Sequence, residues 1–316
     1  VGRFRNLDPA SARGFGDVLR WQLGPRRPDR KAPFVTPRRP NDGAILRETA
    51  ASLTWIGHST FALRLGGLVI VTDPVLVDRV GLTKRNVPVG LALDAMPAID
   101  VVTISHAHHD HLELASIRAI GAHNARLGAP PPLHLVPTEV GRRYLGKRPY
   151  LERGWWESHD LPARARPGRV RFTLVPQQHW SMRGPFDRDE ALWGGWVIQA
   201  PEGTAYHAGD TGYFPHFAEI GRRAGPIDWA MLPIGAYDPV WFMQPQHMGP
   251  EEAGRAFLEL RAREFVCMHW GTFQLTDEPL GEPVERIERW WDAEGPGPTA
   301  RDRLLRLDVG ESRLLR

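Results

Sequence analysis

The run His106-Ala107-His108-His109-Asp110-His111 constrains this chain more than any other stretch. It follows a β-rich segment, Ile99-Asp100-Val101-Val102-Thr103-Ile104-Ser105, so its side chains leave the end of a strand and enter a tight loop. Imidazole nitrogens with a carboxylate oxygen form a ligand set for zinc or iron, not for calcium or magnesium. Six residues on one loop cannot all point at a single ion. The pattern His-x-His-x-Asp-His is best satisfied by two adjacent metals, with His106 and His108 on one and Asp110 and His111 on the other. His109 then faces away from its neighbours, in an outer or surface position.

Three later segments repeat one design, a β-rich run with a His or Asp at the mouth of the following loop. Arg171–Trp180 delivers His179, Thr204–Gly212 delivers Asp210, and Glu264–Gly271 delivers His269. If Asp210 bridges, each ion has four protein ligands: His106, His108, His179 and Asp210 for the first, Asp110, His111, His269 and Asp210 for the second. Two dications roughly 3.5–4 Å apart lower the pKa of a bridging water toward ~7 and polarise the bond under attack. Two dications against two carboxylates and a hydroxide leave a net positive site, which suits an anionic ester or phosphate. Asp110 and Asp210 are therefore expected at the chemistry itself, with two zinc ions as cofactor and iron or manganese as the other ions the set accepts.

Two more polar residues are expected to support the ligands. Asp73, in Val71-Thr72-Asp73-Pro74, ends a strand where a carboxylate could hold the second ring nitrogen of a ligating imidazole. His58, in Trp55-Ile56-Gly57-His58-Ser59-Thr60, lies on the turn of the first hairpin and could face the site. His123, His134, His159 and His216 read as ordinary core or surface residues, and Cys267 as buried and inert.

The rest of the chain fits a soluble α/β protein. Hydrophobic residues make up 42% and charged residues 24%, so a 316-residue chain can bury a substantial core. The formal charge of +3 is spread among scattered arginines with no basic block, which argues against a nucleic-acid partner. One cysteine excludes an intramolecular disulfide and fits a reducing, cytoplasmic setting. No apolar run reaches the roughly 18 residues that span a bilayer, and no signal peptide is visible. Twelve tryptophans are many for this length; core packing is the default reading, an aromatic-walled cavity the alternative.

Residues 1–50 form an N-terminal extension expected to wrap the core, and residues 51–316 the catalytic domain. Within the extension, Phe15, Val18, Leu19, Trp21 and Leu23 mark a short amphipathic helix ended by Gly24-Pro25, with membrane anchoring as the lesser reading. Residues 37–43 read as an extended linker. Strands are expected at Leu53–Ile56, Phe61–Leu65, Leu68–Thr72, Val101–Ser105, Leu133–Val136, Val170–Val175, Trp193–Ala200, Thr204–Ala208, Trp229–Pro233 and Glu264–Met268. Gly66-Gly67 reads as a hairpin turn, and helices are expected at Leu114–Gly121 and Glu251–Leu260.

The seven ligand candidates, with Asp73, resemble in type and order the signature of the metallo-β-lactamase fold. That resemblance implies an α/β architecture, an αββα sandwich of two mixed β-sheets flanked by helices, with a dinuclear zinc site at one edge. Longer motifs resemble the N-acylphosphatidylethanolamine-hydrolysing phospholipase D family: the His58 hairpin, Thr72-Asp73-Pro74, Gln178-His179-Trp180, Leu192–Trp196, Ala208–Tyr213, Pro233–Pro239, Trp241–His247, Pro250–Ala253, His269–Phe273 and Gly310–Arg313. Phe4-Arg5-Asn6 and Leu19-Arg20-Trp21 are similar to that family's N-terminal segment. The chain departs from the family pattern at Met248-Gly249, at Val309 and over residues 76–96. The resemblance implies a zinc-dependent phosphodiesterase of the phospholipase D type, cleaving N-acylphosphatidylethanolamine or a related phospholipid, or another small anionic ester, by a metal-bridging hydroxide, with Gln246 and His247 contacting phosphate or fixing the loop. It leaves a dinuclear lactonase or general metallohydrolase as the alternative, and a non-enzymatic metal-binding protein as a third. Peripheral membrane contact and a homodimer are further expectations.

Overall fold

Short runs of two to seven residues, most of them apolar, pair into two seven-stranded sheets. The structure is a computed structural model and describes residues 2–8 and 14–315. The first sheet runs in the order Ser312–Leu314, Ser52–Gly57, Thr60–Leu65, Leu68–Thr72, Val101–Thr103, Leu133–Pro137 and Tyr150–Arg153. The second runs Leu304–Leu305, Glu264–Met268, Trp229–Pro233, Gly203–His207, Gly195–Ala200, Arg169–Val175 and Ser158–Pro162. Each sheet is antiparallel at one side and parallel at the other, so both are mixed. The first meander turns at Gly66 and Gly67, whose φ of 58° and 75° are what a tight two-residue hairpin demands.

The sheets face each other across a core that includes Trp55, Phe61, Leu63, Phe172, Leu174 and Trp196, all shielded from solvent. A second core lies on the outer face of the first sheet, where Ile117 and Ile120 of the helix Leu114–Arg126 meet Val102, Ile104 and Val136. Helices Phe217–Ala224, Pro250–Leu260 and Glu282–Ala293 cover the second sheet, with Phe257 and Trp291 packed on Phe265. The result is the expected αββα sandwich.

Several elements differ from the sequence expectation for identifiable reasons. The strand at Val101 ends at Thr103, because the Ser105 N–H bonds to the Asp73 carboxylate at 2.7 Å instead of to a neighbouring strand. The helix starting at Leu114 passes through Gly121 to Arg126. Strands Tyr150–Arg153 and Ser158–Pro162 close the free edges; both are polar and half-buried, so neither carries an alternating apolar signal. Most tryptophans serve the core, and Trp55, Trp193, Trp196, Trp229 and Trp291 are fully buried.

The N-terminal residues lie along the sandwich. Helix Phe15–Leu23 docks through Trp21, which stacks on Phe242 at 5.1 Å and donates from Nε1 to Asp277 at 3.0 Å. Leu19 and Leu23 of that helix are exposed; the Phe15 side chain lies outside the described residues. Further along, Arg38 bridges to Val309, and Asn41 bonds to Gly310 and Ser312. Among the described residues, no helix is long and apolar enough to cross a membrane.

Candidate metal centre

Strand ends of both sheets converge at one rim of the sandwich. The first sheet supplies Asp73 after Leu68–Thr72 and the His106–His111 loop after Val101–Thr103. The second supplies His179 after Arg169–Val175, Asp210 after Gly203–His207 and His269 after Glu264–Met268. Gly209 permits this convergence: its φ is +64°, and a Cβ there would lie 2.4 Å from the Ser105 Cβ.

The side chains gather in two groups joined by Asp210. In the first, His106 Nε2 lies 2.8 Å and His179 Nε2 3.3 Å from His108 Nδ1. In the second, Asp110 Oδ2 lies 3.7 Å from both His111 Nε2 and His269 Nε2. His58 joins this second group, with Nε2 3.1 Å from Asp110 Oδ2. Asp210 reaches across: its carboxylate oxygens lie 3.1 Å from His111 Nε2, 3.1 Å from His269 Nε2 and 4.0 Å from His179 Nε2. His109 is exposed and turns its ring to the Arg183 carbonyl.

These residues fit metal ions on an observation that hydrogen bonding does not explain. His111 Nε2, His269 Nε2 and Asp210 Oδ1 are buried and, among the described residues, have no hydrogen-bond partner. Buried polar atoms without partners are costly and rare. Here they crowd within a few ångströms of one another without bonding geometry, as lone pairs converging on shared cations do. His106, His108 and His179 can offer ligand atoms to one ion, and His58, Asp110, His111 and His269 to another; Asp210 groups with both sets through His111 and through His179 with His247.

The far nitrogens of the rings are fixed from behind. His111 Nδ1 donates to Asp73 Oδ2 at 2.7 Å, His106 Nδ1 meets the Ser105 hydroxyl at 2.9 Å, and His179 Nδ1 donates to the Gln246 carbonyl at 2.9 Å. Ser105 Oγ in turn donates to Asp73 Oδ2 at 2.5 Å, so one carboxylate orients both His111 and His106. Ser105 had no signal of its own in the sequence beyond preceding the run. Gln246 touches the centre through its backbone, while His247 Nδ1 lies buried 3.9 Å from Asp210 Oδ2.

Three positions of the site adopt left-handed backbone: His58 at φ 56°, Asp73 at 35° and His269 at 61°. Such conformations cost roughly 1–3 kcal/mol each and persist only where neighbours over-determine them. Here the His58 N–H donates to Thr272 Oγ1 at 2.8 Å, and the His269 N–H donates to the His58 carbonyl at 3.1 Å. The two histidines thus hold each other at the rim.

Electrostatics divides the same two groups. Burial holds His106 and His179 well below the ordinary imidazole value and His108 at about 4, so these rings are neutral ligands in waiting. Burial opposes charge on His111 and His269 too, but the carboxylates outweigh it; Asp210 is the larger influence on both. His111 is raised well above its ordinary value and His269 to about 9. Asp110 and Asp210 stay ionised despite burial, held down chiefly by His111.

Above the centre opens a cavity of about 480 Å³. Its walls are apolar, formed by Val18, Trp21, Trp180, Phe242, Met243 and Leu275, and its floor is His108, Asp110, Asp210 and His269. Arg183 and Arg188 line it as well. Among the described residues, Trp21 and Trp180 are the tryptophans at this cavity, so the aromatic-wall reading holds for these two only.

Comparison with known proteins agrees with this geometry. The Beta-lactamase superfamily domain matches residues 69–270. An uncharacterised protein of Mycobacterium tuberculosis is 36% identical over 308 residues, covering 90% of this chain and 77% of that protein. The N-acyl-phosphatidylethanolamine-hydrolyzing phospholipase D 1 of Caenorhabditis elegans is 34% identical over 255 residues, 78% of this chain and 71% of that enzyme. Among solved structures, a metallo hydrolase of the archaeon Ignicoccus hospitalis has the same fold, with a TM-score of 0.61 at 24% identity over 85% of this chain and 99% of its own. The chain belongs to the metallo-β-lactamase superfamily of metal-dependent hydrolases and is a homologue of the N-acylphosphatidylethanolamine-hydrolysing phospholipases D.

Proposed function

We propose that this protein is a zinc-dependent phosphodiesterase of the phospholipase D type, acting on N-acylphosphatidylethanolamine or a related phospholipid. The observation that carries the reading is the cavity: apolar walls descend directly onto a floor of ligand-type His and Asp side chains. An amphiphile with an anionic head fits that gradient, its acyl portion against Trp21, Phe242 and Met243 and its phosphate at the floor. The activity for which the nematode homologue is named supports the same substrate class.

His106, His108, His179 and Asp210 would hold one ion, and Asp110, His111, His269 and Asp210 the other. Divalent ions there supply a water of lowered pKa and polarise a phosphoryl oxygen. The protein's own contribution is arrangement. Asp73, Ser105 and the Gln246 carbonyl fix ring orientation, as supporting partners of ligating histidines do. His247, at the cavity wall beside Asp210, is placed to bond a phosphate or leaving-group oxygen, and the guanidiniums of Arg183 and Arg188 favour an anion in the cavity.

The test is lipid profiling by mass spectrometry before and after incubation with zinc-loaded protein. Phosphatidic acid and an N-acylethanolamine should appear in equal amounts. Lactone ring opening with no phosphodiester cleavage would replace this reading by that of a lactonase.

A further inference from the structure

The N-terminal segment reaches the metal centre from the far end of the chain. Residues 4–8 run beside the loop that carries His179. The Phe4 N–H donates to the Asp189 carbonyl at 2.8 Å, and Gln178 Nε2 donates to the Asp8 carbonyl at 3.1 Å. Between these anchors the Asn6 side chain meets both backbone groups of His179. Its Nδ2 donates to the His179 carbonyl at 2.9 Å, and its Oδ1 accepts the His179 N–H at 3.2 Å. The same oxygen accepts from Trp193 Nε1 at 3.0 Å.

His179 lies beyond the end of its strand, where its backbone groups have no ladder partner and must be satisfied another way. A single carboxamide, 173 residues away in sequence, satisfies both. The ring is held independently by the Gln246 carbonyl on Nδ1, which leaves Nε2 facing His108 and Asp210. With backbone and ring torsion both fixed, Nε2 is set in place relative to the other ligand atoms. The clamp then passes onward, because Ser181 Oγ, two residues later, accepts from the Ala107 N–H at 3.2 Å.

We infer that Asn6 is a positioning residue for the first half of the metal centre, clamping the main chain of His179 so that its Nε2 meets the ion shared with His106 and His108. This rests on the reading of those histidines as ligands. Among the ligand candidates Asn6 bonds only His179, and the onward contact at Ala107 lies between His106 and His108 of the same half, so its removal weakens one ion and spares the other.

Asn41 is the control. It also ties the N-terminal segment to the sandwich, donating to the Gly310 carbonyl at 2.6 Å and Ser312 Oγ at 2.8 Å, on an edge that carries none of the ligand candidates. Wild-type protein, Asn6→Ala, Asn6→Asp and Asn41→Ala are stripped with chelator and titrated with Zn2+ against a chromophoric competitor, with bound metal counted by elemental analysis. Wild type should take two ions. Asn6→Ala should weaken one of them about 10–100-fold, the range seen when a ligand's supporting partner is lost. Asn6→Asp keeps the acceptor for the His179 N–H and should fall between. Asn41→Ala should lower the melting temperature and leave both affinities unchanged.

A double-mutant cycle locates the effect. In a His179→Ala background, Asn6→Ala should not alter the remaining ion; in a His269→Ala background it should weaken the remaining ion by the same factor as in the wild type. Wild-type affinity for both ions in Asn6→Ala, or equal weakening of both, overturns the inference. If Asn6→Ala does not fold, Asn6→Asp decides by the same criteria. A wild-type chain that takes up no ion sinks the ligand reading itself, and the inference with it.

Discussion

The two halves of the metal centre are built from different materials. The first half gathers three neutral imidazoles, those of His106, His108 and His179, and fixes them with a hydroxyl, a backbone carbonyl and the Asn6 amide. The second gathers His111 and His269 around Asp110, and fixes His111 directly on the Asp73 carboxylate. Burial, with repulsion from neighbouring imidazoles, keeps the first set uncharged, whereas carboxylates draw charge into the second. The contrast teaches that one half is organised for a cation by geometry and the other by charge. Asp210 belongs to both, since its oxygens reach His111, His269 and His179.

The largest effect should follow from breaking that shared member. Asp210→Asn removes a carboxylate from both halves, and turnover should fall to background with fewer than two ions bound; a near-wild-type rate would refute the bridging role. Next come substitutions confined to one half. His179→Ala and His269→Ala should each leave one ion per chain by elemental analysis, and each should abolish turnover if both ions serve one reaction. Retained activity in either would show that the corresponding half is dispensable. Smaller again are the supports. Asp73→Asn should weaken metal binding about 10–100-fold, and Ser105→Ala less, because Ser105 relays Asp73 to His106 whereas His111 meets the carboxylate itself. Equal losses would erase the distinction between direct and relayed support.

How much of this was legible in the sequence follows from how local each signal is. A strand followed at once by a polar residue is a local pattern, so His179, Asp210 and His269 could be read as strand-end residues before their meeting place was known. The division of the His106–His111 run between two groups was legible too, because side chains so close together must diverge. Gln246 shows the limit: its neighbourhood pointed to the site, but the atom that bonds His179 is a backbone carbonyl, which any residue supplies. Asn6 shows a harder limit. Its only mark in the sequence is the resemblance of Phe4-Arg5-Asn6 to the family's N-terminal segment, since a contact across 173 residues leaves no periodicity or spacing to detect. The helix Glu282–Ala293 leaves a weak signal although Pro283, Ile287, Trp290 and Trp291 have helical spacing, because four buried residues make a short stripe among many charges.

The smallest expected effect sharpens the charge-against-geometry contrast one layer out. Glu278 is buried and holds the loop after Trp229–Pro233: its carboxyl accepts from the Ala236 N–H at 2.6 Å, Thr276 Oγ1 at 2.8 Å and the Asp238 N–H at 3.2 Å. That loop bonds through the Ile234 N–H to the Met268 carbonyl, next to His269, so Glu278 belongs to the frame of the second half. Burial pushes its carboxyl up to about 7, against the pull of the hydrogen bonds. In the unfolded chain the same group ionises near 4.5. Between those values the folded protein keeps a proton the unfolded chain has lost, so this group's contribution to stability is full below 4.5, falls as pH rises toward 7 and is flat above it. The span corresponds to about 3 kcal/mol as an upper bound. Glu278→Gln should lack this downward slope, so the denaturation midpoint of wild type relative to the mutant should fall as pH rises across that range. Asn6→Ala, in the frame of the first half, should leave the slope as it is. A slope unchanged in Glu278→Gln would mean that the buried carboxyl ionises at its ordinary value, and that no titrating group in its frame sets the second half apart from the first.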